Sequence, residues 1–125
     1  MPDPLRIPNP FFKLAGLDIL VQSYSYLSLA ELKKIRLVNK QFRDAADIAA
    51  FAENRVSQED IDYQFKILEK WLIDPDALAK RCKDGGFAKM LRNNLFLSLK
   101  KSDLNWAQRL LIQAALMITM EKDSR

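Results

Sequence analysis

The sequence predicts an all-α fold, and three of its features support this class. Apolar residues recur at spacings of three and four along most of the 125 residues, as in helices with one buried face. Only three glycines interrupt the chain, and four of the five prolines fall within the first ten residues, which leaves long stretches free for helices. No segment alternates apolar and polar residues with the period of two that is typical of a strand.

The first half of the chain is predicted to be an arm followed by three short helices. Residues 1–12 are predicted to be an extended, Pro-rich arm, because each proline disfavours the helical conformation in the residue before it. Residues 13–55 are predicted to form the three helices, and such short helices must be held by mutual burial or by a partner. The first helix carries an apolar row, which consists of Leu17, Leu20, Val21, Tyr24 and Leu27.

Capping residues and a second apolar row place the next two helices. Ser28 offers a hydroxyl as N-cap and Glu31 lies three residues later, which is the pairing of a capping box. The second helix is therefore predicted to begin at Leu29. The row that starts at Val38 predicts a third helix that continues toward Arg55.

Residues 56–125 are predicted to form four more helices that pack on the first three as one unit. Ser57 is the predicted N-cap of the first of these helices. Asp74-Pro75 is predicted to end that helix and to begin the next one, with proline at its first position. Gly85-Gly86 is predicted to end this short helix in the left-handed conformation that glycine adopts at little cost.

The last two helices are predicted over residues 87–100 and 104–121, the second of them capped by Ser102-Asp103. Only two of the residues from 110 to 120 are polar. A helix needs a much narrower apolar face than this to pack on a surface. The last helix is therefore predicted either to be central in the core or to carry a substrate-binding or dimer surface.

The composition argues against an enzyme. A hydrophobic content of 49% and a charged content of 29% are typical of a soluble globular domain. The chain has no histidine, so the usual general base near neutral pH and the commonest zinc ligand are absent. We expect no enzymatic activity, no metal ion and no cofactor.

The single cysteine, Cys82, excludes an internal disulfide and suits a reducing compartment. The sequence shows neither the pattern of a signal peptide nor an apolar run long enough to cross a membrane. We therefore expect a cytoplasmic or nuclear protein.

Four short runs within residues 13–55 carry a resemblance to a known motif. They are Asp18-Ile19-Leu20, Ser25-Tyr26-Leu27, Glu31-Leu32 and Val38-Asn39-Lys40-Gln41-Phe42. Together they resemble the F-box, the adaptor-binding motif of the substrate receptors in Skp–cullin–F-box ubiquitin ligases. The sequence departs from the family at its usual Leu-Pro opening, where Ala15-Gly16 stands, or Leu14-Ala15 with a shift of one residue. It also departs at the usual aliphatic residue ahead of Ser25, where Ser23 or Tyr24 stands, and at the closing tryptophan, where Phe42 stands.

The resemblance implies a three-helix F-box followed by a C-terminal helical bundle, in a receptor that does no chemistry itself. Such a receptor binds a Skp-type adaptor, through it a cullin, and recruits a target protein. The residues implied to contact the adaptor are Leu17, Ile19, Leu20, Tyr24, Leu27, Leu32, Val38 and Phe42. Among them we expect Leu32 and Val38 to belong partly to the core, and Leu20 and Leu27 to affect adaptor binding more.

The target protein stays open, because nothing recurs at the period of the family's usual substrate-binding repeats. The chain is either a piece of a longer receptor or a minimal protein of the kind that a pathogen uses in the host cytosol to borrow a host ligase. A scaffold that binds the adaptor without directing ubiquitin transfer is a further option.

The main alternative is a basic all-α module that binds nucleic acid. Lys33, Arg36, Lys40 and Arg43 recur at spacings of three and four, and they would form one basic face if the second and third helices were continuous. The net charge of +4 permits such a partner without requiring it. No cluster of Asn, Gln or Arg suggests base readout, so we favour the F-box.

Overall fold

Seven α-helices and no strand make up residues 9–121, the part of the chain that the computed structural model describes, with side chains described for residues 16–120. The helices are α1 (Asn9–Tyr24), α2 (Leu29–Ile35), α3 (Lys40–Ala49), α4 (Gln58–Ile73), α5 (Pro75–Arg81), α6 (Gly85–Leu99) and α7 (Trp106–Glu121). The predicted all-α fold class is confirmed.

The first helix starts earlier than predicted. Residues 1–8 of the predicted arm lie outside the described residues, but residues 9–12 are already helical, so the extended arm is wrong for them. The reason is the position of Pro10, which lies in the first turn of α1. In that turn a backbone N–H group has no partner within the helix, so the N–H that proline lacks is not missed.

The predicted caps of α2, α4 and α5 are confirmed. In front of α2, the Ser28 hydroxyl accepts the backbone N–H of Glu31 at 3.2 Å, and the Glu31 carboxylate accepts the N–H of Ser28 at 3.1 Å. Ser57 and Asp60 make the same reciprocal pair in front of α4. Asp74 closes α4, and its carboxylate accepts the N–H of Ala77 at the start of α5.

The predicted role of Gly85-Gly86 is wrong. These glycines begin α6 instead of ending α5, and no glycine in residues 9–121 has a positive φ. The Asp84 carboxylate explains the difference, because it accepts the backbone N–H groups of Gly86 at 3.0 Å and of Phe87 at 3.4 Å. A side-chain acceptor at this position is an N-cap, so the chain starts a helix here.

Two other helix boundaries also differ from the prediction. Helix α3 ends at Ala49 and does not continue toward Arg55, whose side chain turns back to bond the end of α3. Helix α7 begins at Trp106, after Leu104, and its cap is Asn105 in place of Ser102-Asp103. The Asn105 side chain accepts the N–H of Gln108 at 2.8 Å, and the Gln108 side chain accepts the N–H of Asn105 at 3.0 Å.

The helices pack around two central elements. Helix α3 packs against α1, α2 and α6, and α7 packs against α4, α5 and α6. Since α6 contacts both, the two halves share one continuous apolar core that runs from Val21 in α1 to Leu116 in α7. The small side chains of α3, Ala45, Ala46 and Ala49, are buried and let its neighbours approach closely.

Candidate functional site

The eight residues implied to contact an adaptor do not share one environment. Leu32 is fully buried, Val38 is exposed, and the remaining six are half-buried. The half-buried residues are Leu17, Ile19, Leu20, Tyr24, Leu27 and Phe42. The structure therefore divides the predicted site into a core residue, an intermediate layer and a surface residue.

Leu32 and Val38 differ most sharply from one another. The expectation that Leu32 belongs to the core is confirmed, and its burial removes its side chain from direct contact with any partner of the folded chain. The same expectation is wrong for Val38, which is 63% exposed. The cause is Asn39, whose side chain accepts the N–H of Phe42 at 2.8 Å and so caps α3, which begins at Lys40, two residues after Val38. Val38 is left in the turn between α2 and α3.

Tyr24 and Phe42 hold α1 against α3. Their rings meet edge to face, with centroids 6.3 Å apart and planes at 87°. Such a pair contributes about 0.5–1.5 kcal/mol beyond its buried area. Burial also raises the pKa of the Tyr24 hydroxyl above its ordinary value. The part of this pair that faces solvent belongs to a rigid contact between two helices.

Two exposed residues that were not on the predicted site extend this surface. Tyr26 is 84% exposed in the turn between α1 and α2, and Leu37 is 80% exposed in the turn between α2 and α3. With Val38, they place large apolar side chains at both ends of α2. We call Tyr26, Leu37 and Val38 the turn surface. The exposure of Tyr26 and Leu37 could have been predicted from the sequence, because both residues lie outside the apolar rows that face the core.

Arg55 fixes the shape of the turn that carries Tyr26. Its buried guanidinium donates to the carbonyl of Ala49 at the end of α3 and to the carbonyl of Tyr24 at the end of α1, both at 2.8 Å. Burial lowers the pKa of Arg55, and the nearby Asp60 carboxylate opposes that shift. Asn54 adds a bond to the carbonyl of Ser25 at 3.1 Å. The carbonyls of Ala49 and Tyr24 also accept the backbone N–H groups of Ala52 and Leu27, so Arg55 adds a second donor to each and ties the two helix ends together.

A network of buried charges links α2, α3 and α5. The Asp47 carboxylate, 1% exposed, accepts two bonds from Arg36 of α2, at 3.0 and 3.2 Å. Arg81 of α5 lies 2.7 Å from Asp44 and 2.9 Å from Asp47, and its guanidinium is 4.6 Å from the centre of the Phe87 ring. The bonds to Asp47 raise the pKa of Arg36. We call Asp44, Asp47, Arg36 and Arg81 the α3 charge network.

Two residues of the predicted basic face have carboxylate neighbours in or beside the α3 charge network. Arg36 is bound to Asp47, and Arg43 lies 3.6 Å from Asp44, so two of the four cations have carboxylate neighbours. Lys33 lies over the Tyr63 ring, 5.3 Å from its centre. A turn separates α2 from α3, so the two helices are not continuous. The geometry therefore lacks the unbroken basic helix on which the nucleic-acid alternative depends.

An apolar cleft beside Arg36 and Tyr63 carries no recognisable reaction centre. It has a volume of about 440 Å³ and is lined by Arg36, Tyr63, Lys66, Trp71 and Ile73, among others. Burial raises the pKa of Tyr63, so its hydroxyl keeps its proton near neutral pH. Among the described side chains, no three that could bind a metal ion come together.

Comparisons with protein-family models, with curated proteins and with solved structures find no match for this chain. Between residues 9 and 121, no helix combines the length and the apolar character needed to cross a membrane.

Proposed function

We propose that the chain is an F-box substrate receptor that binds a Skp-type adaptor through α1–α3 and brings a target protein to a cullin-RING ubiquitin ligase. The observation that carries the proposal is the turn surface. Three large apolar side chains, each more than 60% exposed, lie at the two turns of a segment whose sequence resembles an adaptor-binding motif. The two turns are joined by α2, which is only seven residues long, so one partner lying along this helix can contact all three side chains.

The support of the turn surface also fits a role in binding. Arg55 and Asn54 hold the α1–α2 turn, and the Ser28–Glu31 capping box begins α2 directly after it. The exposed side chains are therefore presented on a preorganised backbone. Preorganisation reduces the entropy that binding must overcome.

In this proposal the protein does no bond-making chemistry. It would hold the adaptor on one surface and a target on another, and so raise the effective concentration of the target near a ubiquitin-conjugating enzyme. Helices α4–α7 are the remaining part of the chain and would supply the surface for the target.

The test is a calorimetric titration of the chain with a purified Skp-type adaptor. We expect saturable binding with a negative heat-capacity change, since apolar surface is buried. Leu37→Glu should weaken binding at least about tenfold, because a carboxylate would be desolvated in the contact. Met117→Glu is the matched control, an equally drastic change at a site 65% exposed on α7, and it should leave the titration unchanged. A folded chain that shows no binding at about 50 μM adaptor overturns the proposal, and sequence-selective binding of DNA or RNA at physiological salt would favour the nucleic-acid alternative.

A further inference from the structure

An apolar stripe runs along the outer face of α7. It contains Trp106, Leu110, Met117 and Met120, with Gln113 in the middle. Trp106 is 75% exposed and Met117 is 65% exposed, although the opposite face of α7 is fully packed against the bundle. The long apolar run in the sequence therefore serves two faces, an inner one in the core and an outer one without a partner in the described part of the chain. We call the five outer residues the α7 stripe.

The spacing of the α7 stripe is that of a helix-pairing seam. From Trp106 to Met120 its residues are separated by four, three, four and three positions. This repeat averages three and a half residues, which keeps one seam facing a partner helix over its full length. A scattered set of exposed side chains would not keep this register.

We propose that the α7 stripe is a homodimer interface, in which α7 of one copy pairs with α7 of a second copy across a two-fold axis near Gln113. The proposal goes beyond the adaptor-binding function and does not depend on it. Three properties of the stripe favour a second copy of this chain over a different protein.

The first property is the chemistry of Gln113. Its amide is both a donor and an acceptor, so two copies that meet near a two-fold axis can satisfy one another. A single polar residue in an apolar seam also sets the register of the pair. An isologous dimer places the same surface on both sides of its axis, and this residue suits that requirement.

The second property is the absence of charge along the stripe. Arg109 is the one charged residue in the sequence between Trp106 and Met120, and its guanidinium is used inside the molecule, where it donates to the carbonyls of Leu99 and Lys101. Seams that select a different partner usually carry charges at their flanking positions. Here Ala107 and Ala114 occupy two such positions, and Arg109, which occupies a third, is held against the carbonyls of Leu99 and Lys101.

The third property is the available area. Given exposures of 75%, 51%, 65% and 45% for its four apolar residues, the stripe offers roughly 500 Å² per copy, or roughly 1,000 Å² for a symmetric pair. This lies at the lower limit for a specific interface and below that of an obligate dimer. The expected dimer is therefore reversible, with a Kd of the order of 10–100 μM.

The experiment is sedimentation of the full chain from about 1 to about 500 μM, which brackets the expected Kd. We expect a shift from monomer to dimer in this range. Met117→Glu should raise Kd at least about tenfold, because it places a carboxylate in each half of an apolar seam. Leu37→Glu is the matched control, at a residue 80% exposed in the turn between α2 and α3, and it should leave Kd unchanged.

Gln113→Glu distinguishes an axis at Gln113 from a less specific association. Two carboxylates near the axis should weaken the dimer at neutral pH, and protonation below about pH 4 should restore it. Since Met117 and Gln113 are exposed in the single chain, both variants should remain folded in dilute solution, which circular dichroism will check.

A chain that stays monomeric at every concentration overturns the proposal and leaves the stripe to a foreign helix. Equal effects of Met117→Glu and Leu37→Glu on Kd also overturn it. Failure here is distinguishable from failure of adaptor binding, because each experiment uses the other's variant as its control.

Discussion

Separate replacement of Leu32 and Val38 by alanine tests whether the F-box-like segment has a core that is distinct from its contact surface. Leu32 has no exposed side-chain surface, whereas Val38 is 63% exposed. Truncating a fully buried leucine lowers the free energy of unfolding by about 2–5 kcal/mol, from lost transfer energy and the cavity left behind. Truncating an exposed valine changes it by less than about 0.5 kcal/mol.

These free energies predict melting temperatures that differ clearly. For a domain of this size, 1 kcal/mol corresponds to roughly 3–6 °C, so Leu32→Ala should lower Tm by about 6–30 °C. Val38→Ala should melt within about 3 °C of the parent chain. Because a small domain has only about 5–15 kcal/mol of stability in total, the Leu32 variant should also begin to unfold at room temperature in mild denaturant.

The assay combines thermal melts with adaptor titrations on the same samples. Val38→Ala should weaken adaptor binding at an unchanged Tm, and Ile73→Ala, at a site 83% exposed at the end of α4, should change neither quantity. Equal losses of Tm in the Leu32 and Val38 variants would refute the reasoning, because Val38 would then be packed and the segment would have no separable contact surface.

Three further predictions concern the polar contacts. Arg81→Met should lower the free energy of unfolding by about 3 kcal/mol in chemical denaturation, because Asp44 and Asp47 lose a partner. Lys80→Met, on the exposed face of α5, should change it little. Similar losses in both variants would contradict this role of Arg81. Arg55→Met should lower the free energy of unfolding by about 1.5–3 kcal/mol, because the carbonyls of Ala49 and Tyr24 each lose a charged donor and keep only a backbone one. An unchanged midpoint of chemical denaturation would contradict this role of Arg55. The bonds from Ser28 lower the pKa of Glu31 below 4.5 in the folded chain, so the contribution of Glu31 to stability is present above pH 4.5 and is lost as the pH falls through its folded-state pKa. Glu31→Gln should therefore flatten the acid side of the curve of unfolding free energy against pH. An unchanged slope would contradict the role of Glu31 in the capping box.

Local contacts account for most of what could be predicted from sequence. The caps at Ser28, Ser57 and Asp74 depend on side chains and N–H groups three residues apart, so their chemistry is visible in the sequence itself. Gly85-Gly86 shows the limit of this reasoning, because glycine suits both the end and the start of a helix. The sequence indicates Asp84 as a helix cap or turn residue without saying which helix it caps, and its bonds to Gly86 and Phe87 show that it caps the start of α6.

Contacts between distant residues account for what could not be predicted. The bond from Arg81 to Asp44 joins residues 37 positions apart, and no spacing rule indicates it. Val38 is predicted to belong partly to the core because it lies where the second and third helices must meet. Helix α3 begins only after the N-cap Asn39, so Val38 lies in the turn and does not share a face with the buried residues of α3.

The α3 charge network has a consequence for the order in which the chain can fold during synthesis. Asp44 and Asp47 leave the ribosome well before Arg81, the cation that lies within 3 Å of both. Before α5 emerges, Asp47 has Arg36 as a partner but Asp44 has only Arg43, 3.6 Å away, so the cost of burying the two carboxylates is only partly compensated. The first three helices therefore gain their full stability only when a later part of the chain has been made, although their sequence suggests an independent motif. An excised fragment of residues 13–55 should remain largely unfolded, and grafting it onto another protein would require α5 and α6 to travel with it.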